Sequence, residues 1–180
     1  MSSPLRIGVL GAGHLGRIHL RCLQPLGEAW QLVGMHDPDS AAVQAVSDLA
    51  QEEGWPAVPK AFDSPEALLA AVDAVAIVTP TAHHARMAEM ALAAGCHVFI
   101  EKPVTTTLAE AEVLMAARDA AGKVVQVGHV ERFNPAFRAA EHHLDRPRFI
   151  EAHRLAPFNP RGLDVPVVLD LMIHDIDLAL

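Results

Sequence analysis

The stretch Ile7-Gly8-Val9-Leu10-Gly11-Ala12-Gly13-His14-Leu15-Gly16 decides how this chain folds, because it joins a short apolar run to a helical pattern through spaced glycines. Gly11 is expected to form a tight turn, Gly13 to let the backbone approach a pyrophosphate, and Gly16 to let the helix lie against the strand. The N–H groups that begin a helix also attract phosphates. The residues predicted to hold a dinucleotide here are Gly11, Gly13, His14, Leu15 and Gly16.

The glycine motif alone is also compatible with a strand–helix turn that binds nothing. Its surroundings favour the dinucleotide, because residues 5–10 form an apolar run and a helical pattern follows them. The positions of that pattern are Leu15, Ile18, His19, Cys22 and Leu23.

Asp37 lies 26 positions beyond Gly11, at the end of the second predicted strand. In this kind of fold an acidic residue there accepts hydrogen bonds from the adenosine ribose hydroxyls. Its carboxylate would repel the 2′-phosphate of NADP, and no Arg or Lys occurs between Asp37 and Glu53 to bind that phosphate. NAD is therefore predicted over NADP. Asp37 also suits a turn before Pro38, a role that does not exclude ribose binding.

Short apolar runs alternate with helical patterns over residues 5–128, which predicts an α/β fold with a doubly wound parallel Rossmann sheet. Helix starts are marked by Ser64 before Pro65 and by a capping box of Thr107 and Glu110. We expect an NAD-binding Rossmann domain over residues 1–128. Its predicted strands cover residues 5–10, 30–36, 57–62, 74–78, 96–100 and 124–127.

Residues 129–180 do not continue this alternation and are predicted to cross into a second domain. A helix is expected to about Leu144, then an extended segment over 148–155, then an apolar helix over 165–180. That helix ends without a stop signal. The pattern predicts that the chain is truncated within a second domain, whose sheet would normally follow.

The composition is that of a globular protein, with 180 residues, 51% hydrophobic, and a formal net charge of −8. No stripe of Lys and Arg could neutralise a nucleic acid, and no apolar run could span a bilayer. No signal-peptide pattern is visible, so a cytoplasmic location is expected. Cys22 and Cys96 are predicted to be reduced core residues. The 11 histidines lack zinc-type spacing, so no metal site is predicted.

Glu101-Lys102 stands directly after an apolar run and before Pro103, which disfavours helical geometry at Lys102. A lysine at a cofactor cleft suits acid–base or electrostatic work. The alternative is a solvated Glu/Lys pair at a strand end, and the spacing alone favours that alternative.

Three motifs together resemble the glucose–fructose oxidoreductase, inositol dehydrogenase and MocA (Gfo/Idh/MocA) family of oxidoreductases. They are the glycine motif, Thr79-Pro80 followed by His84, and Ala94-Gly95-Cys96-His97-Val98-Phe99-Ile100-Glu101-Lys102-Pro103. The likeness covers nearly the whole chain, and the Glu-Lys-Pro strand end is much more specific than the glycines. One departure is Val165-Pro166-Val167, where many members carry a glycine pair.

The resemblance implies that Lys102 is the catalytic lysine and that Glu101 contacts the nicotinamide ribose. It also implies that His174 takes the proton from the alcohol and that Asp170 orients the substrate or the histidine. Positions four apart share a helix face, so both side chains can reach one cleft. The further cofactor-binding residues that it implies are Thr79, Pro80, His84, Lys102 and Gln126.

Residues 126–135 look like the domain-crossing segment of the family. Arg132 in this segment could meet a phosphate or carboxylate of the substrate, or form a structural salt bridge. Together with residues 170–180, the segment looks most like members that act on nucleotide-linked amino sugars.

The motifs as a whole predict an NAD-dependent oxidoreductase for a secondary alcohol of a sugar, cyclitol or nucleotide sugar. The resemblance implies that residues 129–180 begin a truncated α+β substrate domain, whose remainder is absent from this sequence. It also implies a homo-oligomer for the full-length protein. The competing hypothesis is a non-catalytic dinucleotide sensor, which would have no need of Lys102, Asp170 and His174.

Overall fold

A computed structural model describes residues 3–25, 29–144, 146–155 and 166–180. Its centre is a six-stranded sheet in the order β3-β2-β1-β4-β5-β6, and every neighbouring pair is parallel. This order confirms the predicted doubly wound Rossmann sheet. The strands are β1 (Leu5–Leu10), β2 (Trp30–His36), β3 (Lys60–Ala61), β4 (Ala74–Ile77), β5 (His97–Ile100) and β6 (Val125–Val127).

Helices connect these strands and continue after the last one. The α-helices are α1 (His14–Leu23), α2 (Ser40–Glu52), α3 (Pro65–Leu69), α4 (His84–Ala93), α5 (Leu108–Ala121), α6 (Pro135–Ala140) and α7 (Ile173–Ala179). Short 3-10 turns cover Thr81–His83, Val130–Phe133 and Glu141–His143, and a π-helical turn covers Val168–Met172.

The predicted helix starts have the expected hydrogen bonds. The Ser64 side chain accepts the N–H of Ala67 at the start of α3. Thr107 and Glu110 form a reciprocal capping box at the start of α5. A good cap stabilises a helix by about 1 kcal/mol. None of the helices in the described ranges is both long and apolar enough to cross a membrane.

Strand β3 is shorter than predicted, because it covers only Lys60–Ala61 instead of residues 57–62. Pro56 and Pro59 account for the difference, since proline has no N–H to donate to a neighbouring strand.

Apolar side chains fill both faces of the sheet. One cluster includes Leu20 of α1 and Val46 of α2, and the other includes side chains of α3, α4 and α5. Every residue of β4 is buried, as expected for a central parallel strand covered on both faces. Each large apolar side chain buried in this way contributes about 1.5–3 kcal/mol.

An ion pair between Arg6 and Asp73 joins the beginnings of β1 and β4. Nη2 of Arg6 lies 2.6 Å from Oδ1 of Asp73, and the main-chain N–H of Arg6 donates to Oδ2 at 3.0 Å. These hydrogen bonds lower the pKa of Asp73 from 3.8 to about 2. The unfolded chain therefore binds more protons than the folded chain between these two pH values. The stabilisation is complete above pH 3.8 and is lost as the pH falls to about 2.

Replacing Arg6 by glutamine is expected to return the pKa of Asp73 toward 3.8, because the guanidinium that stabilises the carboxylate is lost. An NMR titration of the Asp73 carboxyl carbon measures this shift. The pKa of Glu53, which is lowered by Arg21, is the internal control and should not change. A wild-type Asp73 that titrates near 3.8 would contradict the prediction.

The contacts divide the chain into two compact units, Met1–Val127 and Gly128–Leu180. In the second unit the segment over 148–155, predicted as extended, has no regular secondary structure. A strand is stable only when it is paired, and the described residues of this unit supply no partner strand. The predicted last helix is present as a π-helical turn followed by α7, while residue 165 lies outside the described residues.

Candidate functional site

Two of the three motif glycines are required by the fold itself. Gly11 has a φ of +100°, and a Cβ at this position would lie 2.7 Å from the carbonyl oxygen of Val78. A Cβ at Gly16 would lie 2.0 Å from the carbonyl oxygen of Gly11. The turn and the close approach of α1 to β1 therefore both depend on glycine, as predicted.

Gly13 differs from these two, because a Cβ built on it meets no atom within 4 Å. Residues 13–15 are exposed. Gly13 precedes α1 and gives the helix no side-chain cap, whereas Asp39 caps α2 and Thr107 caps α5. The first N–H groups of α1 therefore receive no side-chain cap, and a Cβ on Gly13 would enter space that holds no other protein atom. Such a cradle fits the pyrophosphate of a dinucleotide.

Asp37 ties the end of β2 to the glycine loop. Its Oδ2 accepts the N–H of Ala12 at 2.7 Å, and its Oδ1 accepts the N–H of Asp39 at 2.9 Å. The carboxylate is partly buried beside the loop. Each carboxylate oxygen has two lone pairs, so the turn-forming role leaves acceptor capacity for ribose hydroxyls.

The end of β4 presents an unsatisfied hydroxyl. Oγ1 of Thr79 is buried and has no hydrogen-bond partner within the part of the chain that the structure describes. Buried hydroxyls normally find a partner. The main chain of Val78 and Thr79 lies against the glycine loop, because a Cβ on Gly11 would meet the carbonyl oxygen of Val78 at 2.7 Å and the nitrogen of Thr79 at 3.0 Å.

His84 is buried, whereas the predicted contact with the cofactor requires an accessible side chain. The residue is 1% exposed. Its Nδ1 lies 2.8 Å from the carbonyl oxygen of Pro103, and its Nε2 lies 2.9 Å from that of Thr79. With both ring nitrogens engaged by the main chain, His84 joins the Thr79-Pro80 turn to the Glu-Lys-Pro segment. We therefore give it a supporting role.

Glu101 and Lys102 follow β5 directly. Glu101 is 7% exposed, and its Oε1 accepts a hydrogen bond from Nε2 of His19 at 2.8 Å. Lys102 is partly buried, and its peptide bond to Pro103 is cis. Glu101 is therefore buried, and it is not part of a solvated Glu/Lys pair. His19 is the residue that the sequence reasoning missed, since it had been counted only among the apolar positions of α1.

Gln126 lies in the middle of β6, where it pairs with Phe99. Its exposed side chain borders a depression of about 440 Å³ on the sheet, which is also lined by strand beginnings such as Leu5 and His97. The glycine loop follows the opposite end of β1. The cofactor contact of Gln126 stays a prediction.

In the second unit Asp170 lies in the π-helical turn and His174 in α7, and both are half-buried. A π turn holds about one residue more than an α turn, so their four-residue spacing still spans close to one turn. π-helical turns are frequent at functional sites.

The other acidic residues of this helical segment form ion pairs. Asp177 accepts from Arg132, with Nη2 3.0 Å from Oδ1, and Asp175 accepts from Arg154, with Nε 2.9 Å from Oδ2. Arg132 thus forms the structural salt bridge that was one of its two predicted roles. Within the described ranges there is no group of three or more His, Cys, Asp or Glu side chains that could hold a metal ion.

The strand order and the open glycine loop define a dinucleotide-binding Rossmann domain. The sequence model of the Gfo/Idh/MocA oxidoreductases, described as an oxidoreductase family with an NAD-binding Rossmann fold, matches residues 5–129. The chain belongs to this family.

Two curated relatives match almost the whole chain. UDP-N-acetylglucosamine 3-dehydrogenase from Acidithiobacillus ferrooxidans is 44% identical over 177 residues, which are 98% of this chain and 53% of the relative. Inositol 2-dehydrogenase from Acidiphilium cryptum is 34% identical over 180 residues, which are 96% of this chain and 52% of the relative. The chain therefore spans about half the length of the curated relatives it matches.

Solved structures show the same relationship. The UDP-N-acetylglucosamine 3-dehydrogenase from A. ferrooxidans aligns with a TM-score of 0.83 at 42% identity, over 98% of this chain and 56% of that one. The apo scyllo-inositol dehydrogenase from Lactobacillus casei aligns with a TM-score of 0.68 at 28% identity, over 80% of this chain and 42% of that one.

Proposed function

We propose that the complete protein is an NAD-dependent oxidoreductase that acts on a secondary alcohol of a sugar, a cyclitol or a nucleotide sugar. The observation that carries this proposal is the uncapped start of α1 at Gly13, beside the carboxylate of Asp37. Bound NAD would supply a nicotinamide that accepts or returns a hydride. The protein supplies the binding, the orientation and the proton transfers.

The cofactor-binding residues divide by role. Gly11 and Gly16 shape the turn, Gly13 leaves room for the pyrophosphate, and the N–H groups of His14 and Leu15 face it. Thr79 offers its buried hydroxyl from the end of β4, next to Pro80. Glu101 is proposed at the nicotinamide ribose and Gln126 as a further cofactor contact, both on the family resemblance.

Three residues are proposed to manage the alcohol. Lys102 follows the buried carboxylate of Glu101 and would hold a proton at its Nζ, close to the reacting hydroxyl. His174 would take that hydroxyl proton on its imidazole, and Asp170 would orient the substrate or the histidine. The roles of all three rest on the family resemblance.

Replacing Asp37 by serine is expected to reduce the preference for NADH over NADPH by about tenfold or more. The substitution removes both the ribose acceptor and the charge that repels a 2′-phosphate, and a hydrogen bond to a charged group is worth about 1.5–3 kcal/mol. Fluorescence titration of both cofactors measures the ratio. Asp39→Ser is the matched control, because Asp39 caps α2 through Ala41 and should not affect the ratio. A wild-type protein that prefers NADPH would contradict the proposal.

Within this class we propose a nucleotide-linked amino sugar as the substrate. The support is the relative that is 44% identical and is named UDP-N-acetylglucosamine 3-dehydrogenase. Inositol is the alternative, supported by the inositol 2-dehydrogenases. A cytoplasmic location and a homo-oligomeric complete protein belong to the same proposal, and the homo-oligomer rests on the family resemblance.

The experiment that tests this function incubates the complete protein with NAD and a panel of UDP-sugars, free sugars and inositols. The expected result is an increase in NADH absorbance with at least one of them. Tight NAD binding by calorimetry without NADH formation from any panel member would instead favour the dinucleotide sensor.

A further inference from the structure

A hydrogen bond between two partly buried side chains connects the helix of the glycine loop to the Glu-Lys-Pro segment. His19 lies in α1 and Glu101 follows β5, and their side chains are 18% and 9% exposed. Nε2 of His19 donates to Oε1 of Glu101 at 2.8 Å. A carboxylate buried this deeply needs a hydrogen-bonding partner, and His19 provides it.

The second oxygen of this carboxylate continues the connection. Oε2 of Glu101 accepts the main-chain N–H of Lys102 at 3.3 Å. The carboxylate therefore lies between the ring of His19 and the main chain of the proposed catalytic lysine. A change in the orientation of this carboxylate would therefore also shift the main chain of Lys102.

The ring of His19 is itself held in place. It packs against Phe99 of β5, with the ring centroids 5.5 Å apart. Helix α1 is fixed to the glycine loop by the close contact of Gly16 with Gly11. The position of His19 is therefore set by the same helix whose first N–H groups face the pyrophosphate site.

We infer that His19 is a positioning residue, which orients Glu101 and the main chain of Lys102 relative to the glycine loop. This inference rests on the proposed function, in which Glu101 and Lys102 serve the nicotinamide end. The competing explanation is that His19 only satisfies a buried carboxylate and contributes to folding. In that case its loss would lower the melting temperature without a specific effect on the site.

Two variants of the complete protein separate the hydrogen bond from the ring contact. His19→Gln keeps an N–H donor near the position of Nε2 and lacks the ring. His19→Phe keeps the ring contact with Phe99 and lacks the donor. We expect His19→Phe to lower kcat/KM for NAD by about 10- to 100-fold and to weaken NADH binding, because a hydrogen bond to a charged group is lost. His19→Gln should recover most of both quantities at a similar melting temperature.

A double variant tests whether the effect passes through Glu101. If it does, His19→Phe combined with Glu101→Gln should be no worse than Glu101→Gln alone, because the partner of the hydrogen bond is already changed. Additive losses would overturn the inference, as would wild-type kinetics of His19→Phe. Activity that simply follows the melting temperature in both variants would also overturn it. His19→Leu replaces His19→Phe if the latter does not fold.

NADH binding is measured by NADH fluorescence. This measurement keeps the test of His19 separate from the test of the proposed function. If the wild-type protein forms no NADH with any substrate, the oxidoreductase proposal fails. The His19 variants still report on positioning through the NADH affinity. If the wild type turns over, and His19→Phe and His19→Gln have the same kcat/KM and the same NADH affinity, only the His19 inference fails.

Discussion

Replacing Lys102 by alanine is expected to lower the turnover of the complete protein by about 10²- to 10⁴-fold, which is the usual contribution of a positioned acid–base group. NADH binding should stay close to wild type, because the side chain of Lys102 is not part of the glycine loop. Steady-state rates with the active substrate of the panel measure the loss, and NADH fluorescence measures the binding.

Lys123→Ala is the matched control for this prediction. Lys123 precedes β6 and is not among the proposed site residues, so its loss should leave turnover unchanged. Undiminished turnover of Lys102→Ala would remove the lysine from the mechanism. An equal loss of turnover and NADH binding would show that Lys102 acts in cofactor binding and not in the proton transfer.

Replacing Gly13 by valine is expected to weaken NADH binding by at least about 100-fold while the protein stays folded. A Cβ at this position meets no protein atom within 4 Å, so a side chain can begin there without a clash. The same side chain would fill the space proposed for the pyrophosphate. Calorimetry with NADH and thermal unfolding of the same sample measure the two effects.

Gly16→Ala is the contrasting variant, because its Cβ would lie 2.0 Å from the carbonyl oxygen of Gly11. Overpacking of this kind typically costs about 1–3 kcal/mol, so this variant should lower the melting temperature. Wild-type affinity of Gly13→Val for NADH would contradict the proposed position of the pyrophosphate. Unfolding of Gly13→Val would contradict the open space seen at this residue.

The strands and helix starts of the first unit could be predicted because their signals are local. The predicted strand over residues 5–10 coincides with β1, and the one over 30–36 coincides with β2. The capping box of Thr107 and Glu110 lies within one helical turn, so the sequence alone contains both partners.

The contacts of the candidate site were harder to predict because their partners are distant in sequence. His19 and Glu101 are 82 positions apart, and the helical pattern explains His19 equally well as one more core position. The cofactor contact of His84 was predicted from the family resemblance. Its engagement by two carbonyl oxygens depends on the positions of Thr79 and Pro103, which only the folded chain defines.

The most direct test of the central claim follows the hydride itself. The complete protein is incubated with NAD and with UDP-N-acetylglucosamine or inositol that carries deuterium at every ring carbon, and the NADH formed is analysed by mass spectrometry. Direct transfer from the carbinol carbon predicts NADH that contains one deuterium. NADH without deuterium, or tight NAD binding with no NADH formed from either compound or any other panel member, would contradict the account.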